Sequence, residues 1–174
     1  DFYNVDHLEA VPGMPGLKLH RFPEIFSSRA GAGNNRKGRF RAERPHGCEI
    51  RFVTDAFYFD LALTAVEADI HVNIYCGDYL YRQEVLKAGV CTVLHVAPSP
   101  FITEIKEDQL TSSRFDFNVW RIQFGMNGYV YFHYLNTFGD DHRPPAVGEK
   151  PATTWLAYGS SITCGSAVSA YSNT

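Results

Sequence analysis

Between residues 48 and 138, apolar and polar side chains alternate in short runs, and turn formers separate many of them. Alternation is the period of a strand with one face in a core and the other in water. Glu49-Ile50-Arg51-Phe52-Val53-Thr54-Asp55 is the first run, and residues 58–66, 69–76 and 79–86 repeat the pattern. Gly77-Asp78 separates the last two as a hairpin turn, in a Gly-first order that favours a different turn type from Asp-Gly. Residues 90–96, 115–124 and 129–138 add three more strands, and residues 16–22 alternate upstream. About eight short strands without a long amphipathic helix predict a mainly β chain, an antiparallel sandwich or barrel.

The remaining stretches read as connections. Pro12, Gly13, Pro15 and Gly16 mark turns near the start. Residues 27–42 mix Gly31, Gly33, Asn34, Asn35 and Gly38 with Arg and Lys and read as a loop. Residues 99–113 read as a loop or short helix. Residues 140–153 are rich in proline and charge, as a stiff linker is. The expected organisation is a β-sandwich over 1–139, a linker over 140–153, and the start of a second domain over 154–174.

Composition narrows the function classes. The 174 residues suffice for one domain, or one plus the beginning of another. Thirteen Phe and ten Tyr suit pleated, half-buried surfaces. A net charge of −3 argues against nucleic-acid and anionic-membrane partners, which need clustered Lys and Arg. No apolar run has the length of a membrane span. No signal peptide is visible, and the compartment, cytoplasmic or secreted, stays open.

Cys48, Cys76, Cys91 and Cys164 form no C-x-x-C pair and no metal-ligand spacing, so four reduced and mostly buried thiols are expected. A bridge between Cys76 and Cys91, on neighbouring strands, is the alternative. His71, His95 and His133 sit inside alternating strands as ordinary face residues, and His142 lies in the linker. Period two places Tyr129, Tyr131 and His133 on one face and Val130, Phe132 and Tyr134 on the other. Trp120 and this aromatic row are expected to fill core or interface, with stacking on sugar rings as the alternative. The basic residues of 36–44 read as solvated surface, with an anion site as the lesser reading.

The segment Trp155-Leu156-Ala157-Tyr158-Gly159-Ser160-Ser161-Ile162-Thr163-Cys164-Gly165 has a different grammar. A short apolar run is expected of a strand buried on both faces. Gly159 permits a sharp turn, and small residues after it can open a helix. Such a unit exposes a hydroxyl at a sheet edge and aims backbone N–H groups at it, as a nucleophile and oxyanion hole require.

Residues 158–165 resemble the first sequence block of the SGNH (GDSL-type) hydrolases, G-D-S-x-[ST]-x-G. They do not fit the G-x-S-x-G elbow, because Thr163 stands where the second Gly belongs. The layout also resembles a subgroup of carbohydrate esterases with an N-terminal β-sandwich, through Arg143-Pro144-Pro145 and residues 47–55. The resemblance implies a jelly-roll-like sandwich followed by the first strand and turn of an α/β hydrolase domain. It makes Ser161 the catalytic nucleophile and its backbone N–H one oxyanion donor. Ser160 replaces the usual Asp of the block, which is not the triad carboxylate. The family's later Gly, Asn and D-x-x-H have no counterpart here, because the 13 residues after Ser161 contain no Asp and no His. A serine without a positioned base is a weak nucleophile. The expectation is the front portion of a serine esterase, inactive as it stands, acting when whole on ester substrates such as carbohydrate acetyl esters. No metal or organic cofactor is implied. A non-catalytic carbohydrate-binding or protein-interaction sandwich is the alternative, and acyl transfer to an alcohol other than water is a third reading.

Overall fold

Phe52, Phe59 and Trp120 meet edge to face, with ring centroids 4.9 and 5.1 Å apart, and two antiparallel sheets pack around them. The computed structural model describes residues 1–30, 37–97, 104 and 113–154. The first elements are β1 (Phe2–Tyr3), β2 (His7–Ala10) and β3 (Leu17–His20), then the helices α1 (Glu24–Ala30) and α2 (Lys37–Ala42). The strands β4 (Glu49–Thr54), β5 (Phe59–Val66), β6 (Ile70–Cys76), β7 (Tyr79–Leu86) and β8 (Cys91–Val96) follow. Last come β9 (Val119–Phe124), β10 (Tyr129–Asn136) and β11 (His142–Arg143).

Sheet A has the order β1-β4-β9-β6-β7, with β11 beside β1 on the outer edge of β4. Sheet B has the order β2-β3-β10-β5-β8. Strands β3 to β10 are thereby arranged as a jelly roll, 3-10-5-8 facing 4-9-6-7. The fold is the mainly β sandwich that the alternation predicts. Ile50, Phe52, Leu61, Leu63, Val72, Ile74, Ile122 and Phe124 are the inward positions and are buried. Trp120 lies in this core, as expected.

All eight predicted strands form. The Gly77-Asp78 turn connects Cys76 to its partner Tyr79, and positive φ falls on Gly77 alone, as a II′ turn requires. Gly77 has a second duty. A Cβ there would stand 3.1 Å from both Asp116 O and Phe117 Cα, so the chain at 115–117 packs directly on the turn.

Several expectations change. The predicted loop over 27–42 contains most of α1 and all of α2. Glu24 in the first turn and Arg29 in the last suit the helix dipole of α1, while the glycines and asparagines that suggest a loop fall mainly at 31–35, outside the described residues. Strands β1 and β11 have two residues each, too short for any period to show. Cys76 and Cys91 lie on opposite sheets and do not pair, and Cys91 is exposed because β8 turns it outward. A bulge between Phe132 and Tyr134 breaks the period of β10. Tyr134 therefore pairs with Ala62 on the outer face of sheet B instead of joining Phe132 in the core. Residues 140–153, expected as a linker, run along the sandwich: β11 pairs with β4, and Glu149 O accepts a 2.9 Å hydrogen bond from Asp116 N.

Candidate functional site

The outer face of sheet A is where alternation misleads. Glu49, Arg51, Asn73, Arg121 and Gln123 sit at outward positions, which predicts water around them, yet all five are buried. Phe115 lies over Arg51 and Arg121, and Val53, Phe115 and Val119 form a small second cluster there.

Register organises these side chains into two rows. Glu49 faces Gln123, which faces Asn73, which faces Gln83, across β4, β9, β6 and β7. Gln83 Nε2 donates to Asn73 Oδ1 at 2.8 Å, Asn73 Nδ2 to Gln123 Oε1 at 3.4 Å, and Gln123 Nε2 to Glu49 Oε1 at 3.2 Å. In the next row Arg51 faces Arg121, which faces Tyr75. Like charges directly opposite destabilise a sheet. The Glu49 carboxylate resolves the conflict. Arg121 donates to it twice, Nε at 3.0 Å and Nη2 at 2.8 Å, and Arg51 Nε donates at 2.7 Å. Burial pushes the Glu49 carboxyl up, but the hydrogen bonds and charges of Arg121 and Arg51 outweigh it and hold it below its ordinary value.

Aromatic rings complete the arrangement. The Arg51 guanidinium lies 3.4 Å from the Tyr3 ring centroid and 4.9 Å from that of Phe115. Arg121 lies 4.0 Å from Phe115 and 5.0 Å from Tyr75. Arg121 Nη1 also donates to Gly77 O at 3.1 Å and approaches Asp78 Oδ1 at 3.5 Å. Above these groups opens a cavity of about 370 Å³, lined by Tyr3, Arg51, Arg114, Phe115, Arg121 and Lys150 together with Pro151, Thr153 and Thr154. Lys150 closes the 142–150 turn and lies 3.5 Å from Asp1. Arg143 grips Glu149 through two bonds of 2.7 and 2.6 Å, and Ala146 N donates to the same carboxylate at 2.6 Å. The Arg143 bonds and the Ala146 amide hold the Glu149 carboxyl down at about 2.

A second group lies on sheet B. Tyr58 stacks near Phe138 at 4.8 Å and His95 at 5.3 Å, while His95 Nδ1 meets Asp60 Oδ1 at 2.6 Å. Phe57, Tyr58, Tyr134 and Phe138 are exposed. Phe138 adopts a φ of +56°, a strained backbone for a bulky side chain. An Asx-type bond from Phe138 N to Asn136 Oδ1, 2.9 Å, holds it there.

A solved acyltransferase shares this architecture. It is the salicylyl-acyltransferase SsfX3 from a tetracycline biosynthetic pathway, with a TM-score of 0.56 and 14% identity over 88% of this chain. At that identity the likeness is one of fold. The chain spans 40% of the length of that protein. No protein-family model matches the chain, and no curated protein does.

Ser161 and all of 155–174 lie outside the described residues, as does Cys164. The basic stretch 36–44 is described from Lys37 onward. Arg39 pairs with Glu43 and Glu24, and Arg44 stacks on Phe40 and donates to Met126 O. His71 is an exposed strand residue, His133 bonds Thr64 at 2.8 Å, and His142 contacts Thr137 at 3.4 Å. Burial pushes the Cys48 and Cys76 thiols up to about 12, which leaves them without thiolate chemistry. Among the described residues no group of three His, Cys, Asp or Glu could hold a metal, and no helix is long and apolar enough to cross a membrane.

Proposed function

We propose that this chain is the front portion of a serine acyl-transfer enzyme of the SGNH type, in which Ser161 attacks an ester carbonyl. One observation carries the reading: the block at 158–165 begins four residues past Thr154, which lines the cationic cavity. The Ser161 hydroxyl adds to the carbonyl, the alcohol leaves, and the acyl-enzyme passes its acyl group to water or to a second alcohol. Hydrolysis of esters, including carbohydrate acetyl esters, and transfer to an acceptor share this intermediate. The fold likeness to an acyltransferase is compatible with either outcome. The base and its carboxylate would come from outside this sequence.

The test uses the protein encoded by the whole reading frame. With p-nitrophenyl acetate, Ser161→Ala is expected to lower turnover by about 10³-fold or more. Equal rates would remove Ser161 from the chemistry. Adding an alcohol acceptor and following acyl transfer by mass spectrometry separates transferase from hydrolase.

A second reading concerns the sandwich alone. The exposed rings of Tyr58, Tyr134 and Phe138 beside the His95–Asp60 pair form a surface suited to stacking on sugar rings. The strained backbone at Phe138 favours it, because strain gathers at binding sites.

A further inference from the structure

We propose that the cavity over the outer face of sheet A is a carboxylate-binding site, with the Nη edge of Arg51 as its fork and Lys150 as a second cation. Among the described residues its lining contains Arg51, Arg114, Arg121 and Lys150 and no carboxylate. The acids that balance these cations lie outside the lining: Glu49 bonds both arginines, Asp78 lies 3.3 Å from Arg114, and Asp1 lies 3.5 Å from Lys150. Among the described residues four cations therefore meet three carboxylates, and the excess positive charge faces the cavity.

Arg51 decides the chemistry of the ligand. Its side chain is 8% exposed, which leaves little contact with bulk water. A guanidinium carries five N–H donors, and Arg51 directs only Nε to a partner, Glu49. Tyr3 and Phe115 lie against the group and leave its Nη edge for a ligand. Two parallel N–H donors match the two oxygens of a carboxylate. The Nη donors open onto the cavity, where a ligand acceptor can meet them, and a hydrogen bond from a charged donor is stronger than a neutral one. Thr153 and Thr154 supply hydroxyls at the rim, and the Tyr3 and Phe115 rings supply an apolar wall for a flat body. About 370 Å³ suits a single ring with its acid group and no polymer. On the acyl-transfer reading above, this molecule is the acidic substrate. That extension rests on the reading; the binding site does not.

The probe is benzoate, titrated into the 174-residue chain and followed by calorimetry. Benzyl alcohol serves as its neutral counterpart, and inorganic phosphate as the anion without a planar fork. Saturable benzoate binding is expected, with benzyl alcohol silent and phosphate at least about tenfold weaker. Arg51→Lys keeps the charge and loses the fork, and should weaken benzoate by about tenfold or more. Lys150→Met should cost about threefold, and Lys87→Met, at the far edge of β7, should cost nothing. None of these titrations uses Ser161, so a failed nucleophile assignment and a failed anion site are separate results. The proposal is overturned by absent benzoate binding, by benzyl alcohol binding equally, by phosphate binding as tightly, or by Arg51→Lys binding unchanged. Should Arg51→Lys not fold, unchanged binding by Lys150→Met overturns it.

Discussion

Glu49 is one carboxylate serving two buried arginines. Its removal leaves Arg51 and Arg121 facing each other across β4 and β9 with no anion between them. Glu49→Gln is expected to cost about 3–5 kcal/mol, as breaking a buried ion pair does, measured by urea unfolding at pH 7. The pH dependence follows from the depressed carboxyl. The folded protein holds Glu49 ionised below the ordinary carboxylate value of 4.5, so its contribution is complete above that pH. It fades as pH falls through the folded value. Glu49→Gln should lack this acid limb, and an unchanged limb would assign acid sensitivity to other groups.

At the scale of elements, the 142–150 turn is the part of the sandwich that shapes the cavity rim. Glu149→Ala removes the acceptor for Arg143 and for Ala146 N. Both partners are largely exposed, so the effect is local. The Ala146 amide should exchange with solvent roughly 3- to 10-fold faster, with the core strands unchanged. Because Glu149 is held at about 2, protection in the parent should persist at pH 4 and be lost only near pH 2.

Much of this scale was legible in the sequence. Period two located β3 to β10 and the inward set Ile50, Phe52, Leu61 and Ile122. It failed where a third layer covers a sheet. Glu49, Arg51, Arg121 and Gln123 read as wet because nothing local announces their burial, to which Phe115 over Arg51 and Arg121 contributes. The usable signal was the charge pattern: two strands each place a charged or amide pair at i and i+2 among large apolar residues. Period also failed at the β10 bulge, where one extra residue moved Tyr134 outward. The block at 158–165 was legible as a motif, while the cavity arises only when β1, β4, β9 and the 113–118 chain converge.

For the molecule as a whole, the two sheets present different outer chemistry. Sheet A carries the cationic cavity, and sheet B carries the rings of Tyr58, Tyr134 and Phe138. With the core between them the two surfaces act independently, since distant sites add. Tyr58→Ala should weaken any soluble oligosaccharide ligand by about tenfold, as loss of a stacking ring does, and leave benzoate affinity unchanged. A loss of both would mean that one ligand surface spans the sheets. Nuclear magnetic resonance titration reads both surfaces on one sample.

The Glu49, Arg51 and Arg121 triad also has a genealogical consequence. Arg51 and Arg121 without Glu49 are buried charges with no anion between them. An intermediate in which Glu49 changes first passes through an unstable sandwich. Descendants of this fold should keep the trio intact or replace it wholesale with apolar residues, and lineages that took the second course should have given up the acidic ligand with it.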